Sequence, residues 1–300
     1  MHQVPRSDQI PLFSEPKPPR RPRVIQPPLT PDGLVLDDEG LLAREIHHHS
    51  MEKASKVHRF ADTVSVAVGQ KWPVYWVELF AGPGRLYVVE DKEFLLGSPM
   101  ATLGVRVPFA GYFFNDLSAD CERCLRARTQ GMEGVHIHRG DANAPETLDA
   151  VFRAVPRNAL VIAYLDPQGL DLHLDTVRAL AWHYRRLDLL INLPVNGLIR
   201  YLAAGNVNKV RPVLGHPDPE RLMDHGVNNA TRELRGWYHG QLASLGYNHR
   251  TADTIRLADK KAALYDLIVA GRHPLTVDLF KRATEIGAFG QRQFGLVPAT

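Results

Sequence analysis

Cysteine is nearly absent from this chain: Cys121 and Cys124 are the only two in 300 residues. Two thiols rule out a disulfide framework and fit a reducing, cytoplasmic compartment. Their Cys-x-x-Cys spacing has no second pair to complete a metal site, so within a helix they read as small buried hydrophobes. Long apolar runs are missing too. No stretch approaches the ~20 residues that cross a bilayer, which argues against a membrane. A charged start followed by an apolar core is also absent, so secretion is not expected. Charge of one sign is scarce: 36 Lys and Arg against 33 Asp and Glu leave a net +3. That balance alone does not call for nucleic acid. No internal repeat is visible. With 44% hydrophobic and 23% charged residues, the chain has the material for a packed core.

Proline is plentiful and unevenly spread. Pro5, Pro11, Pro16, Pro18, Pro19, Pro22, Pro27, Pro28 and Pro31 crowd the first 34 residues, where they block helix and sheet hydrogen bonding. Residues 1–34 therefore read as a disordered leader, made locally basic by Lys17, Arg20, Arg21 and Arg23. A solvated tail is the plainer reading; contact with RNA or DNA is the alternative. Residues 35–300 read as a single domain.

Within that domain, Leu42, Ile46, Val57, Phe60, Val64 and Val68 are spaced as on a helix covering 41–68. Strands are expected at 74–80, 112–116, 135–138, 160–165 and 187–192, with helices at about 118–130, 144–155 and 173–186 between them. The alternation predicts an α/β fold whose sheet is mostly parallel, with right-handed crossovers. Residues 204–231, rich in Gly, Asn, Pro and His, read as a long loop or insertion. A helix at 230–246, strands at 248–255 and 263–270 and a helix at 275–287 would complete seven strands.

The most telling segment runs from Tyr75 to Leu86. A bulky strand ends at Glu78, and Gly82-Pro83-Gly84 then makes a sharp turn. Open α/β sheets receive nucleotide-like cofactors at such a strand end. A dinucleotide fingerprint needs a third glycine, and Tyr87 stands there instead. Further polar groups end the later strands: Asn115-Asp116, Gly140-Asp141-Ala142-Asn143, Asp166-Pro167-Gln168-Gly169, and Asn192-Leu193-Pro194 with Asn196, Gly197 and Arg200. Glycine turn, acid, Gly-Asp and Asp-Pro in this order give the layout of S-adenosyl-L-methionine-dependent methyltransferases.

On that layout Glu78, Phe80, Gly82 and Gly84 serve the methionine end, Asp116 the ribose and Asp141 the adenine. Asp166 and Gln168 are the candidate catalytic pair, and Pro167, Asn196 and Arg200 the candidate acceptor contacts. Asp116 and Asp141 have a structural alternative, since a strand-end Asp often caps the next helix. Arg200 has one as well, as a surface arginine. Lys53 and His58 are weaker candidates for the rim of the cleft. His47-His48-His49 is a polar helix face or a phosphate contact, with no partner residues that would make it a metal site. Lys209, Arg211 and Arg221 fit a basic rim or plain solubility. A metal-dependent hydrolase using Asp141 and Asp166 is a weaker reading, since it needs carboxylates clustered on one ion.

Several motifs together resemble the three-Cys-motif partner protein (TcmP) family. They are Glu78-Leu79-Phe80-Ala81-Gly82-Pro83-Gly84-Arg85, Gly97-Ser98-Pro99, Leu165-Asp166-Pro167-Gln168-Gly169-Leu170, Asp188-Leu189-Leu190-Ile191 and Tyr265 through Leu275. The likeness covers roughly residues 45–290. It implies a methyltransferase-like, Rossmann-like fold, and as partner a separate three-cysteine, radical-SAM-like protein. More distantly, Phe80-Ala81-Gly82 with Gly84, and the segment from His47 through Lys53 to His58, resemble ribosomal RNA adenine methyltransferases. That likeness implies a nucleic-acid or nucleotide acceptor. Those enzymes follow Asp-Pro-Pro with an aromatic ring that stacks on the flipped base; Gln168-Gly169 replaces it here. The missing ring favours the alternative of a non-catalytic partner subunit.

Overall fold

The computed structural model describes residues 33–256 and 263–285, without the side chains of His49 and Glu285. Nearly all of the proline-rich leader, and the last residues of the helix expected to reach 287, lie outside the described residues.

A hairpin comes first, strand β1 (Leu34–Leu36) and strand β2 (Leu42–Ile46), followed by helix α1 (His48–Val68). The helix expected from residue 41 thus begins seven residues later, at His48. Within α1, Val57, Phe60, Ala61 and Val64 bury one stripe. Leu42 and Ile46 belong to a strand instead, because Arg44, Glu45 and Ile46 pair in parallel with Leu86, Tyr87 and Val88. Pairing so distant in sequence overrides local spacing.

Strand β3 (Val74–Glu78) enters the glycine turn. The chain then forms a second hairpin, β4 (Arg85–Val88) and β5 (Glu93–Leu96), before the short helix α2 (Ser98–Leu103). The two hairpins join as a four-stranded sheet in the order β1-β2-β4-β5. Its apolar centre is small, made of Val35, Ala43 and Tyr87. Ion pairs hold the rest. Asp37, with a fully buried side chain, accepts from Arg85 Nη1 at 3.1 Å and from Arg128 Nη2. Arg128 Nη1 also donates to the carbonyls of Leu42 and Pro83, which ties the first hairpin to the glycine turn.

The expected alternation follows: β6 (Gly111–Asp116), α3 (Ala119–Arg128), β7 (Val135–Arg139), α4 (Pro145–Ala154), β8 (Leu160–Leu165), α5 (Leu174–His183) and β9 (Arg186–Leu193). In place of a long loop at 204–231 the chain stays helical. Helix α6 (Val195–Ala203) leads to α7 (Val207–Leu214), a 3-10 turn (Pro219–Met223) and α8 (Val227–Ser244). Val210, Val213 and Leu214 give α7 a buried stripe, and Gly215 ends it with φ +56°. The glycines in this span punctuate short helices. Strands β10 (His249–Arg256) and β11 (Ala263–Gly271) and helix α9 (Pro274–Glu285) finish the described chain.

The main sheet has seven strands in the order β10-β11-β9-β8-β3-β6-β7. Neighbours are parallel except around β11, which runs antiparallel to both β9 and β10. Side chains alternate between its faces. Val77, Ala163, Leu165, Leu189 and Ile191 pack beneath α4 to α8. Trp76, Phe114, Ile162, Leu190 and Val269 pack beneath α1 and α9, where the rings of Phe60 and Phe280 meet edge to face at 5.6 Å. Two conspicuous polar groups of the C-terminal part serve this packing. Arg235 grips the buried Asp266 with two hydrogen bonds, at 2.6 and 2.8 Å. Arg272 donates to the carbonyls of Ala181, Tyr184 and Leu245, at the ends of α5 and α8.

Candidate cofactor cleft

The glycine turn sits where the sheet order reverses, with β3 between β8 and β6, so a crevice opens at its carboxyl edge. Gly82 has φ +66° and nothing within 4 Å of where a Cβ would stand. It therefore offers bare backbone to the crevice. Gly84, at φ +91°, faces inward: a Cβ there would press on Met100 and Leu125 at 3.2 and 3.3 Å. Gly97 approaches closer still, its N–H donating to Gly84 O at 2.8 Å. A Cβ on Gly97 would lie 2.8 Å from the Gly84 carbonyl carbon.

Two adjoining cavities follow the strand ends. The larger, about 1040 Å³, is lined by Asp116, Leu117, Asp141 and Ala142, and also by Tyr201 and Lys209. The smaller, about 460 Å³, holds Gly82, Gly84, Ser98, Lys53, Asp166, Asn192 and Tyr265. Phe80, Gln168 and Arg44 line both.

Asp116 accepts from Gly82 N at 2.8 Å and from Ser118 N at 2.9 Å, so it holds the glycine turn in place. Capping of α3 falls to Ser118, whose Oγ accepts from Cys121 N. Asp141 Oδ1 accepts from the backbone and side-chain nitrogens of Asn143, a local turn. Leu117, 72% exposed, leaves an apolar shelf beside these two acids.

At the other end, the Asp166 carboxylate is surrounded by donors. Lys53 Nζ reaches both oxygens, at 2.7 and 2.6 Å. Tyr164 Oη donates to Oδ2 and Asn192 Nδ2 to Oδ1, each at 2.7 Å. Burial, then the Asp166 charge, push the Tyr164 phenol well above its ordinary range. Burial likewise raises Tyr265, whose ring lies 5.1 Å from Lys53 Nζ. Because β11 runs against its neighbours, Tyr265 at its beginning, not its end, reaches the carboxyl edge.

Glu78 lies beneath the turn and lines neither cavity. It is 1% exposed and accepts from Trp76 Nε1 at 2.7 Å and Ser98 Oγ at 2.6 Å. Burial drives its pKa up to about 8, against the pull of those two donors.

The structure thus brings Phe80, Gly82, Gly84, Asp116, Asp141, Asp166, Pro167 and Gln168 to one crevice. It does not bring Asn196 and Arg200, which line neither cavity; Arg200 is exposed on α6. Asn192 stands in their place. His58 also stays off the lining, while Lys53 belongs to it. His47 and His48 pair with Glu90 and Asp91 at 2.9 Å, on the exposed edge of the small sheet. Cys121 and Cys124 are buried in α3, and burial lifts the Cys121 thiol to about 11. Sequence reasoning passed over Arg44, Tyr164 and Tyr265 as site residues. Of these, Tyr265 stood within a motif that drew notice, and Arg44 had no signal. Among the described residues, no helix is long and apolar enough to cross a membrane.

Protein LPL1258 from Legionella pneumophila str. Philadelphia 1, of family model DUF519, superposes with a TM-score of 0.51 at 8% identity, over 78% of this chain and 91% of that one. The O-methyltransferase from Bacillus cereus in complex with SAH gives 0.41 at 10% identity, over 71% and 79%. The plantazolicin methyltransferase BpumL, also in complex with SAH, gives 0.40 at 8% identity, over 74% and 85%. No protein-family model matches this chain, and neither does any curated protein. The likeness to the TcmP family therefore rests on its motifs alone. Strand order and superposition together show a Rossmann-like α/β fold with a mostly parallel seven-stranded sheet.

Proposed function

We propose that this protein binds S-adenosyl-L-methionine and transfers its methyl group to a nucleic-acid or nucleotide acceptor. The observation that carries the reading is the open Gly82 backbone at the strand-order reversal, latched by Asp116 beside the crevice. The residues present fit the cofactor. Asp116 and Asp141 supply acceptor oxygens for ribose hydroxyls and an adenine amino group, and Leu117 and Ala142 an apolar shelf for the ring. Gly82 leaves room for the methionine end, and Gly84 lets the turn pack closely against Met100 and Leu125. The cofactor supplies an electrophilic methyl group. The chain supplies alignment and exclusion of water, so few side chains need to act chemically. The acceptor enters beside Asp166 and Pro167, near Lys53, Asn192 and Tyr265. Isothermal titration tests this directly: S-adenosylmethionine binds at micromolar to sub-millimolar concentration, and absence of heat at millimolar ligand rejects the reading.

One observation favours a second reading. The four hydrogen bonds on Asp166 take up the acceptor sites a carboxylate offers, leaving none for an acceptor amine unless a donor is displaced. A carboxylate so engaged suits a structural anchor in a non-catalytic partner of a three-cysteine, radical-SAM-like protein. Co-purification with such a protein, together with no methyl transfer to RNA, DNA or nucleotides, would select it.

A further inference from the structure

The edge of the main sheet opposite the crevice, where the parallel strands begin, carries a surface that the cofactor reading does not use. Register sets its members side by side. Val74 on β3 pairs with Leu160 on β8, and Leu160 with Arg186 on β9. Trp72 stands two residues before Val74, Arg157 three before Leu160, and Arg185 just before Arg186. Trp182 lies in the last turn of α5, which runs down to the same edge to enter β9. The six residues of β8 separate this edge from the crevice, a distance of about 20 Å.

Two properties distinguish it. The first is exposed tryptophan. Of the chain's four, Trp76 is fully buried, and Trp237 is partly buried with its Nε1 donating to Leu214 O. The other two, Trp72 and Trp182, are 50% and 71% exposed, and both stand at this edge. Burying that indole area against a partner is a gain the folded chain alone forgoes.

The second is charge without a counterpart. Arg186 holds its guanidinium 5.0 Å over the Trp72 ring. Lys71, Arg157 and Arg185 are exposed, and among the described residues their side chains make no hydrogen bond or ion pair. The carbonyls of Ala181, Tyr184 and Arg185 that could engage them are taken by Arg272. By contrast, Arg106, Arg126 and Arg178 each meet a carboxylate, at 2.7, 2.9 and 2.8 Å. Burial, then the Arg157 charge, holds the His183 imidazole below its ordinary pKa, so the positive potential reaches the residue beside Trp182.

Indoles in water among uncompensated cations fit a partner that is anionic and presents flat apolar faces. A single nucleic-acid strand presents both: phosphates for the cations and unstacked bases for the rings. A duplex keeps its bases stacked on one another, and an acidic peptide carries charge without a run of flat faces. We propose that this edge binds single-stranded nucleic acid, whose bases stack on Trp72 and Trp182 while its phosphates meet Lys71, Arg157, Arg185 and Arg186. The surface stands apart from the cofactor crevice and works without it.

Fluorescence anisotropy tests this with labelled oligouridine and oligothymidine of about 12 nucleotides, added to the full chain without S-adenosylmethionine. Trp182→Ala is expected to weaken binding about 10-fold or more, the loss of one stacked base. Arg157→Ala combined with Arg185→Ala is expected to lower the slope of log affinity against log salt by about 1.4, or about 0.7 per cation. Unchanged thermal melts show the variants folded, and Trp182→Leu repeats the comparison if the alanine variant melts early. Preference for the uridine strand assigns RNA, and preference for the thymidine strand DNA. No binding by the wild-type protein at about 50 mM salt overturns the proposal. So does wild-type affinity in Trp182→Ala, or an unchanged slope in the double variant. A duplex of the same length that binds as tightly, or polyglutamate that displaces the strand, overturns it as well. Each of these failures leaves the cofactor reading intact, because no cofactor takes part.

Discussion

The two sheets are held together by different physics. The seven-stranded sheet is buried on both faces by aliphatic and aromatic side chains. The four-stranded sheet has an apolar centre of three buried residues and depends on Asp37, clamped between Arg85 and Arg128. Apolar burial is non-directional and tolerates exchange of one hydrophobe for another. A buried ion cluster does not, since losing one member strands the charge of the others. The wall that carries Arg44 is therefore the more fragile side of the cleft.

The sharpest break in this comparison is Asp37→Ala. It leaves two buried guanidinium groups without their shared carboxylate and is expected to cost about 3–5 kcal/mol, read by urea unfolding. A cost below about 1 kcal/mol would mean that the small sheet does not depend on the cluster. Next comes Lys53→Met, which strips Asp166 of its cation but leaves Tyr164 and Asn192 as donors. A loss of about 2 kcal/mol is expected, with α1 loosening in hydrogen exchange. A neutral result would place the pair among ordinary surface contacts.

Glu78 brings an ionisable group into the apolar sheet. Its folded pKa, about 8, is raised above the ordinary carboxylate value. Between the ordinary value and 8 the folded state therefore binds more protons than the unfolded chain. The stabilisation is complete below the unfolded pKa and is lost as pH rises through about 8, with a slope of at most about 1.4 kcal/mol per pH unit. Glu78→Gln should flatten that decline between pH 6 and 8 in thermal melts. Burial also raises Asp188, to about 6, so a shallower decline below pH 6 should survive the change. An unchanged slope above pH 6 would show Glu78 ionised throughout. The smallest effect on stability is Gly82→Ala, about 1 kcal/mol from the positive φ alone. Because Gly82 lines the crevice and nothing stands within 4 Å of the added methyl, the larger effect is expected on cofactor affinity, read by calorimetric titration with S-adenosylmethionine.

This contrast also explains what could be read in the sequence. Leu160–Leu165 and Arg186–Leu193 carry apolar runs that announce buried parallel strands, and the acids at 116, 141 and 166 mark the ends of β6, β7 and β8. Leu42–Ile46 carries no such mark, since its partner β4 is distant and its spacing mimics a helix. Glu78 stands out by position, but its burial beneath Trp76 and Ser98 depends on packing. Arg200 shows the limit of reasoning from strand ends: α6 begins at Val195 and turns that side chain to solvent. Asn192, still on β9, keeps its place in the crevice. Arg44 meets Gln168 only after two hairpins fold across the turn.

The contact between Gly84 and Gly97 has a further consequence. The chain leaves the main fold at one glycine and returns at the other, with the two backbones hydrogen-bonded at 2.8 Å. Everything between them is a closed detour, like a bead hung from a clasp. Residues added at its far end, around Asp91 and Lys92, would lengthen the detour while the glycine turn and Ser98 keep their places. The architecture thus has one seam at which its outer wall can be reshaped without redrawing the crevice behind it.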